Sequence, residues 1–263
     1  MKAWENIIEP PIKGRTKKPR ENGITMVIDK GLGLNEIKDL ILTAGDYIDI
    51  IKLTFGTSAF YEKELLKEKN KLITEAGIDV MPGGTFLEVA VWKNVYDRFL
   101  ERARELGFTM IEVSDGTIKM DLDKRKEIIK RAIDEGFKVV SEVGKKDPSE
   151  KIPVSLMQNV IFNDLESGAF KVIVEAREAG KGVGIYDNEG KIKEDEINNI
   201  ISGIKDINYL IWEAPQKNQQ RYLILRFGPN VNLGNIPPEE VLALEALRQG
   251  LRGDTLKKAY LES

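Results

Sequence analysis

Lys138–Lys146 reads KVVSEVGKK: a short Val-rich run, a glycine and then two lysines. A β-branched run of about six residues suits a strand buried on both faces of a parallel sheet. The same plan recurs upstream as ITMVIDKG from Ile24, YIDIIKL from Tyr47, IDVMPGG from Ile78 and TMIEVSDG from Thr109. Downstream it recurs as KVIVEAR from Lys171, YLIWEAP from Tyr209 and YLILRFGPN from Tyr222. Helical periodicity separates most of these runs, over 35–44, 61–76, 89–106, 123–135, 155–167 and 193–205, with another helix over 237–250. Asn35 is the expected N-cap of the first helix, and Gly77, Gly107, Gly136 and Gly168 close later ones as short αβ loops require. Only APQKNQQR (214–221) lies between the seventh and eighth runs, too little for a full helix and its loops. The pattern predicts an α/β fold, a (β/α)8 TIM-type barrel with a short or missing seventh helix. A single domain over 1–263 is expected. Its basic arm over about 1–23 contains Lys13, Arg15, Lys17, Lys18 and Arg20, and reads as a solvated arm or a plug at the barrel bottom.

Composition narrows the chemistry. The 263 residues are 41% hydrophobic and 32% charged, with a net charge of −3. Such a balance gives no general attraction to nucleic acid or an anionic membrane. The apolar runs are too short to span a bilayer. Met1–Pro11 lacks the apolar core of a secretory signal, so a cytoplasmic location is expected. The chain has neither Cys nor His. Thiolate nucleophiles, Cys/His zinc sites and His-dependent triads are therefore excluded. Proton transfer falls to Lys, Glu, Asp, Tyr or water. A metal would need oxygen ligands, which favours Mg²⁺ or Mn²⁺.

The charged residues cluster where a barrel carries its active site, at the C-terminal strand ends. With a period of two, Val140, Glu142, Gly144 and Lys146 share a face, as do Met110, Glu112 and Ser114. Ile173, Glu175 and Arg177 share another, and so do Ile211 and Glu213. Asp29, Lys52, Glu112, Glu142, Glu175 and Glu213 thus occupy near-equivalent strand positions. Buried carboxylates are costly unless paired or metal-bound, so this repeated placement predicts a polar cavity with Glu112, Glu142 and Glu175 as metal-ligand candidates. Lys146 shares the face of Glu142, whereas Lys145 takes the other. Glycine-rich loops offer backbone N–H groups to an anion: Gly83 and Gly84 after the third run, Lys181 and Gly182 in GKGVG, and Asn230 and Asn232 after the eighth. Arg177 is the expected side-chain partner of that anion.

Read in order, several clusters look like one family. They are Asp29-Lys30-Gly31, 45–49, Lys52 through Gly56-Thr57-Ser58, Pro82–Thr85, Glu112–Gly116, Glu142–Lys146, Glu175–Glu178, Glu213–Lys217 and Leu247–Thr255. Together they resemble the phosphosulfolactate synthases, from about Asp29 to Thr255. Leu53-Thr54-Phe55 departs from the pattern, where a Trp is expected before Gly56. The resemblance implies Mg²⁺-dependent addition of sulfite to phosphoenolpyruvate, giving (2R)-2-phospho-3-sulfolactate for coenzyme M synthesis. For that reaction a lysine would protonate carbon, and strand parity puts Lys146 first, Lys145 next, with Lys52 across the cavity. A homo-oligomer is expected. Two other readings are a Schiff-base aldolase using Lys52 or Lys146 on a phosphorylated substrate, and a non-catalytic stress-associated member of the family.

Overall fold

A computed structural model describes residues 2–147, 149–150, 152–177 and 179–262. Glu178 of the quoted motif, and Met1 and Ser263 at the ends of the expected domain, lie outside the described residues. The chain runs β1 (Thr25–Asp29), α1 (Leu34–Ala44), β2 (Ile50–Leu53), α2 (Lys63–Glu75), β3 (Asp79–Pro82), α3 (Gly84–Trp92), α4 (Tyr96–Glu105), β4 (Met110–Val113), α5 (Leu122–Asp134) and β5 (Lys138–Val143). It continues through α6 (Val154–Glu166), β6 (Lys171–Val174), α7 (Glu194–Ile201), β7 (Leu210–Glu213), α8 (Lys217–Phe227), β8 (Leu233–Ile236), α9 (Val241–Arg248) and α10 (Gly253–Glu262). Eight parallel strands in the order β3-β2-β1-β8-β7-β6-β5-β4 form a nearly closed (β/α)8 barrel. Thr109 spans the seam between β3 and β4. Its backbone N donates to Val80 O (3.1 Å), and its hydroxyl accepts from Val80 N (3.0 Å) and donates to Asp79 (2.9 Å).

The period-two alternation sorts each strand into two cores. Val27, Ile51, Val80, Ile111, Val139, Val172 and Leu210 pack outward in the core shared with the helices. Met26, Ile50, Met81, Met110, Val140, Ile173 and Ile211 fill the barrel interior. Two residues further on, the interior positions become Ile28, Lys52, Glu112, Glu142, Glu175 and Glu213. The apolar layer is therefore the floor on which the polar layer rests. The arm closes the other end: Arg15 pairs with Glu245 at 3.1 Å and Arg20 with Asp49 at 3.0 Å. Among the described residues no helix is long and apolar enough to cross a membrane.

The expected eighth strand and the missing seventh helix are both overturned. Tyr222–Phe227 belongs to α8, an ordinary helix of 11 residues after β7. Leu223 and Ile224 are buried, with Phe227 packed beside them, which is helical spacing. Gln216 N donates to the Gln219 side-chain oxygen (3.1 Å) at the start of that helix, and Gly228 at φ +89° ends it. A short apolar run fits strand and helix alike. The true β8, LGNI, carries two large apolar residues and a glycine, too weak a signal to compete. The first helix is capped by Gly33, whose N–H donates to Glu36 (2.8 Å), rather than by Asn35. The helix expected over 89–106 is two helices, broken around Asn94 at φ +54°.

Ile173 is fully buried at the centre of the interior layer. Ile173→Ala should lower the unfolding free energy by about 2–5 kcal/mol in denaturant titration. A loss below about 1 kcal/mol would mean the barrel interior is not close-packed there.

Candidate active site

Lys52 stands at the centre of the polar layer. Its Nζ lies 3.1 Å from Glu112, 3.2 Å from Glu213 and 3.5 Å from Glu142, and all four side chains are buried. Lys146 enters from above. Its Nζ donates to Thr85 Oγ1 (2.9 Å) and lies 3.1 Å from Glu142 and 3.7 Å from Glu175. These residues, with Gly83, Gly84, Arg177 and Asn235, line a cavity of about 280 Å³ at the C-terminal strand ends. The α3 N-terminus forms part of this wall, a natural place for an anion. Gly84 permits the approach: a Cβ there would lie 2.6 Å from Glu112 and 2.7 Å from Ser114 Oγ.

Four carboxylates face two ammonium groups, and the imbalance shows in their acidity. Burial pushes Glu112 up to about 7, with Lys52 opposing it. Burial and the negative charge of Glu142 and Glu213 hold Glu175 well above the carboxylate range. Burial would raise Glu142 too, but Lys146 and Lys52 outweigh it and pull it below its ordinary value. Both lysines are raised, because their carboxylate partners overcome the cost of burial. They remain ammonium ions throughout the neutral range.

One carboxylate oxygen from each of Glu142, Glu175 and Glu213 lies within 4.8 Å of the other two. Glu142 Oε1 and Glu175 Oε2 are buried, and the charged group facing both is the Lys146 ammonium, at 3.1 and 3.7 Å. Three hard oxygen donors this close fit a divalent cation such as Mg²⁺ or Mn²⁺, although the Glu213 oxygens also accept from Lys52 Nζ (3.2 Å) and Ala176 N (2.8 Å). Glu112 sits beside this trio and faces Lys52.

Several expected residues lie elsewhere. Asn230 and Asn232 precede β8 and so occupy the barrel bottom, where Asn230 binds Gly14 and Thr16 of the arm and Asn232 binds Ile24 and Leu210. Their assignment to the anion site fails with the misplaced strand. Lys181 and Gly182 lie in the loop between β6 and α7 and do not line the cavity; Gly182 N donates to Asp187 O (2.8 Å). Asp29 points outward to Lys69 at 2.6 Å. Lys145 turns away and donates to Asp115 O (2.5 Å).

Other site residues escape the sequence reading. Asn235 reaches the cavity because β8 carries a bulge against β1, and its φ is +53°. Nothing in LGNI announces this. Glu88 did leave a signal, as the one charged residue in α3, GTFLEVAVW. It is buried, accepts from Ser114 Oγ (2.6 Å) and lies 3.8 Å from Lys146. Phe55, at the departure from the family pattern, has φ +57° and lines the cavity mouth.

The sequence model of the family described as (2R)-phospho-3-sulfolactate synthase (ComA) matches residues 13–254. A phosphosulfolactate synthase of Methanocaldococcus jannaschii is 47% identical over 260 residues, covering 98% of this chain and 100% of that one. One from Methanothermobacter thermautotrophicus is 45% identical over 263 residues, covering 99% and 100%. Among solved structures, a phosphonopyruvate hydrolase superposes with a TM-score of 0.56 at 13% identity, covering 88% of this chain and 81% of that one. At that identity the likeness concerns the barrel alone.

Removing the central cation leaves buried charges uncompensated. Lys52→Met should cost about 3–5 kcal/mol of stability. Adding Glu112→Gln should recover part of that loss in thermal or denaturant melts. A double variant no more stable than Lys52→Met would show that the two charges are not coupled.

Proposed function

The chain belongs to the (2R)-phospho-3-sulfolactate synthase family, and on that premise we propose that its cavity joins sulfite to phosphoenolpyruvate with the help of Mg²⁺. The observation that carries this reading is the placement of a close-set buried carboxylate trio beside a charged lysine in one cavity. Glu142, Glu175 and Glu213 would hold the ion. When bound, a divalent cation there supplies positive charge to a substrate carboxylate as electrons move onto it.

The remaining work falls to the chain's own residues. Arg177 and the N–H groups opening α3 at Gly84 and Thr85 orient the phosphate, which stays attached throughout. The sulfur lone pair of sulfite forms a bond to the methylene carbon of phosphoenolpyruvate. The double-bond electrons move toward the neighbouring carbon and its carboxylate. The Lys146 ammonium, held protonated by Glu142 and Glu175, delivers a proton to that carbon and completes phosphosulfolactate. Lys52 stays fixed beneath, compensating the Glu112, Glu142 and Glu213 charges. The diffusible, highly charged substrates suit action in the cytoplasm.

The same electrostatics weigh against the aldolase reading. A Schiff base needs a neutral amine, whereas both lysines are stabilised as ammonium ions. A non-catalytic role would leave this costly buried cluster without a purpose.

Phosphoenolpyruvate should be consumed only with sulfite present, and exhaustive chelation should abolish turnover; unchanged turnover without metal would overturn the cation's role. Lys146→Ala should lower kcat by about 10²–10⁴-fold with little change in KM. For Arg177→Ala the expected change is a strong rise in KM for phosphoenolpyruvate. An unaltered KM would place the phosphate away from that guanidinium.

A further inference from the structure

Two adjacent lysines leave β5 in opposite directions, and the structure shows what separates them. Gly144, at φ +130°, turns the chain so closely over β6 that a Cβ would lie 2.7 Å from Glu175 Cβ. Beyond it, Lys145 reaches the loop after β4. Its Nζ donates to Asp115 O (2.5 Å) and to Ile118 O (3.4 Å), and lies 3.6 Å from the Asp115 carboxylate. Asp115 is in turn held by Arg125 of α5, whose Nη1 donates to Asp115 Oδ1 (2.8 Å). Arg125 is fully buried and also donates to Asp164 of α6 (3.1 Å) and to the backbone carbonyl of Glu142 (3.1 Å).

The segment is thus tied at both ends. Arg125 grips the carbonyl of Glu142, and Lys145 grips the β4 loop. Between them, Lys146 N donates to Gly116 O (3.3 Å), and Arg177 Nη1 donates to Lys146 O (3.2 Å). The Lys146 stem lies across Gly116, where a Cβ would stand 3.1–3.2 Å from three of its carbons. That loop is itself anchored, since Glu88 accepts from Thr117 N and Ile118 N, both at 2.8 Å.

We propose that Arg125 and Lys145 are positioning residues: acting through Asp115, they clamp the 142–146 segment so that Lys146 and Glu142 face the substrate. This deepens the function proposed above and rests on its assignment of Lys146 as proton donor. Arg125 has four N–H contacts to three partners from different elements. A guanidinium fork can do this, and the ammonium of a lysine cannot. Lys145 contributes through its backbone neighbour and need not touch substrate.

Arg125→Lys endangers the fold because the residue is fully buried, so Lys145→Met and Asp115→Asn carry the test. Two readouts are taken: steady-state kinetics, and the rate at which Lys146 is acetylated by an N-hydroxysuccinimide ester, followed by peptide mass spectrometry. Each variant should lose about 10–100-fold in kcat, as for a reacting group displaced by about 1 Å, with KM little changed. Acetylation of Lys146 should rise severalfold. The double variant should be no worse than the poorer single one, because both break one linkage. Lys145→Arg, which keeps charge and reach, should restore the protection of Lys146. Unchanged acetylation of Lys146 in both variants overturns the clamp, whatever the activity. Faster acetylation with wild-type kcat upholds the clamp and instead removes Lys146 as proton donor.

Discussion

The structure turns on a charge imbalance in the barrel interior. Among the described residues, Glu112, Glu142, Glu175 and Glu213 are buried together with Lys52 and Lys146 among them. Two carboxylates 4 Å apart repel by about 4 kcal/mol at an effective dielectric of about 20. Such a cluster persists when protons, cations or a substrate complex compensate it. Burial holds the Glu112 and Glu175 carboxyls above their ordinary range, which favours protons in that role. A divalent cation at the trio would replace them and leave the lysines free for the anionic substrates. Stability and catalysis therefore draw on the same electrostatic arrangement.

That arrangement depends on strand geometry more than on loops. Every carboxylate of the cluster sits two residues beyond an interior apolar residue of its own strand: Met110 before Glu112, Val140 before Glu142, Ile173 before Glu175 and Ile211 before Glu213. The ladder registers stagger them, so Glu112 lies beside Val140 and Glu142 beside Ile173. The apolar floor fixes the height of each charge, and close packing beneath it keeps the separations constant. Loops then add Lys146, Arg177 and the start of α3 to the cavity wall.

Much of this was legible in the sequence because period-two alternation survives in seven strands. KVVSEVGKK and KVIVEAR announce Glu142, Lys146, Glu175 and Arg177 by parity alone, and all four line one cavity. Asp29 shares the outward parity of Val27, so it never belonged with the cavity carboxylates; it caps the Gly31 and Leu32 N–H groups and pairs with Lys69. Parity failed where other physics intervened. Asn235 enters through a bulge that shifts the period by one. YLILRFG satisfied a strand template by composition, yet its burial is helical, and this single exchange carried Asn230 and Asn232 to the wrong end of the barrel. The cluster motifs were more robust than the element boundaries, since they mark the same residues whichever strand number they bear.

The central claim is that the carboxylate excess exists to hold a divalent cation at Glu142, Glu175 and Glu213. Anomalous diffraction from crystals soaked in Mn²⁺ tests it most directly. The account predicts a strong peak among those three carboxylates, above Lys52 and within reach of the Lys146 side of the cavity. A peak at another site, with none among the trio, would contradict it.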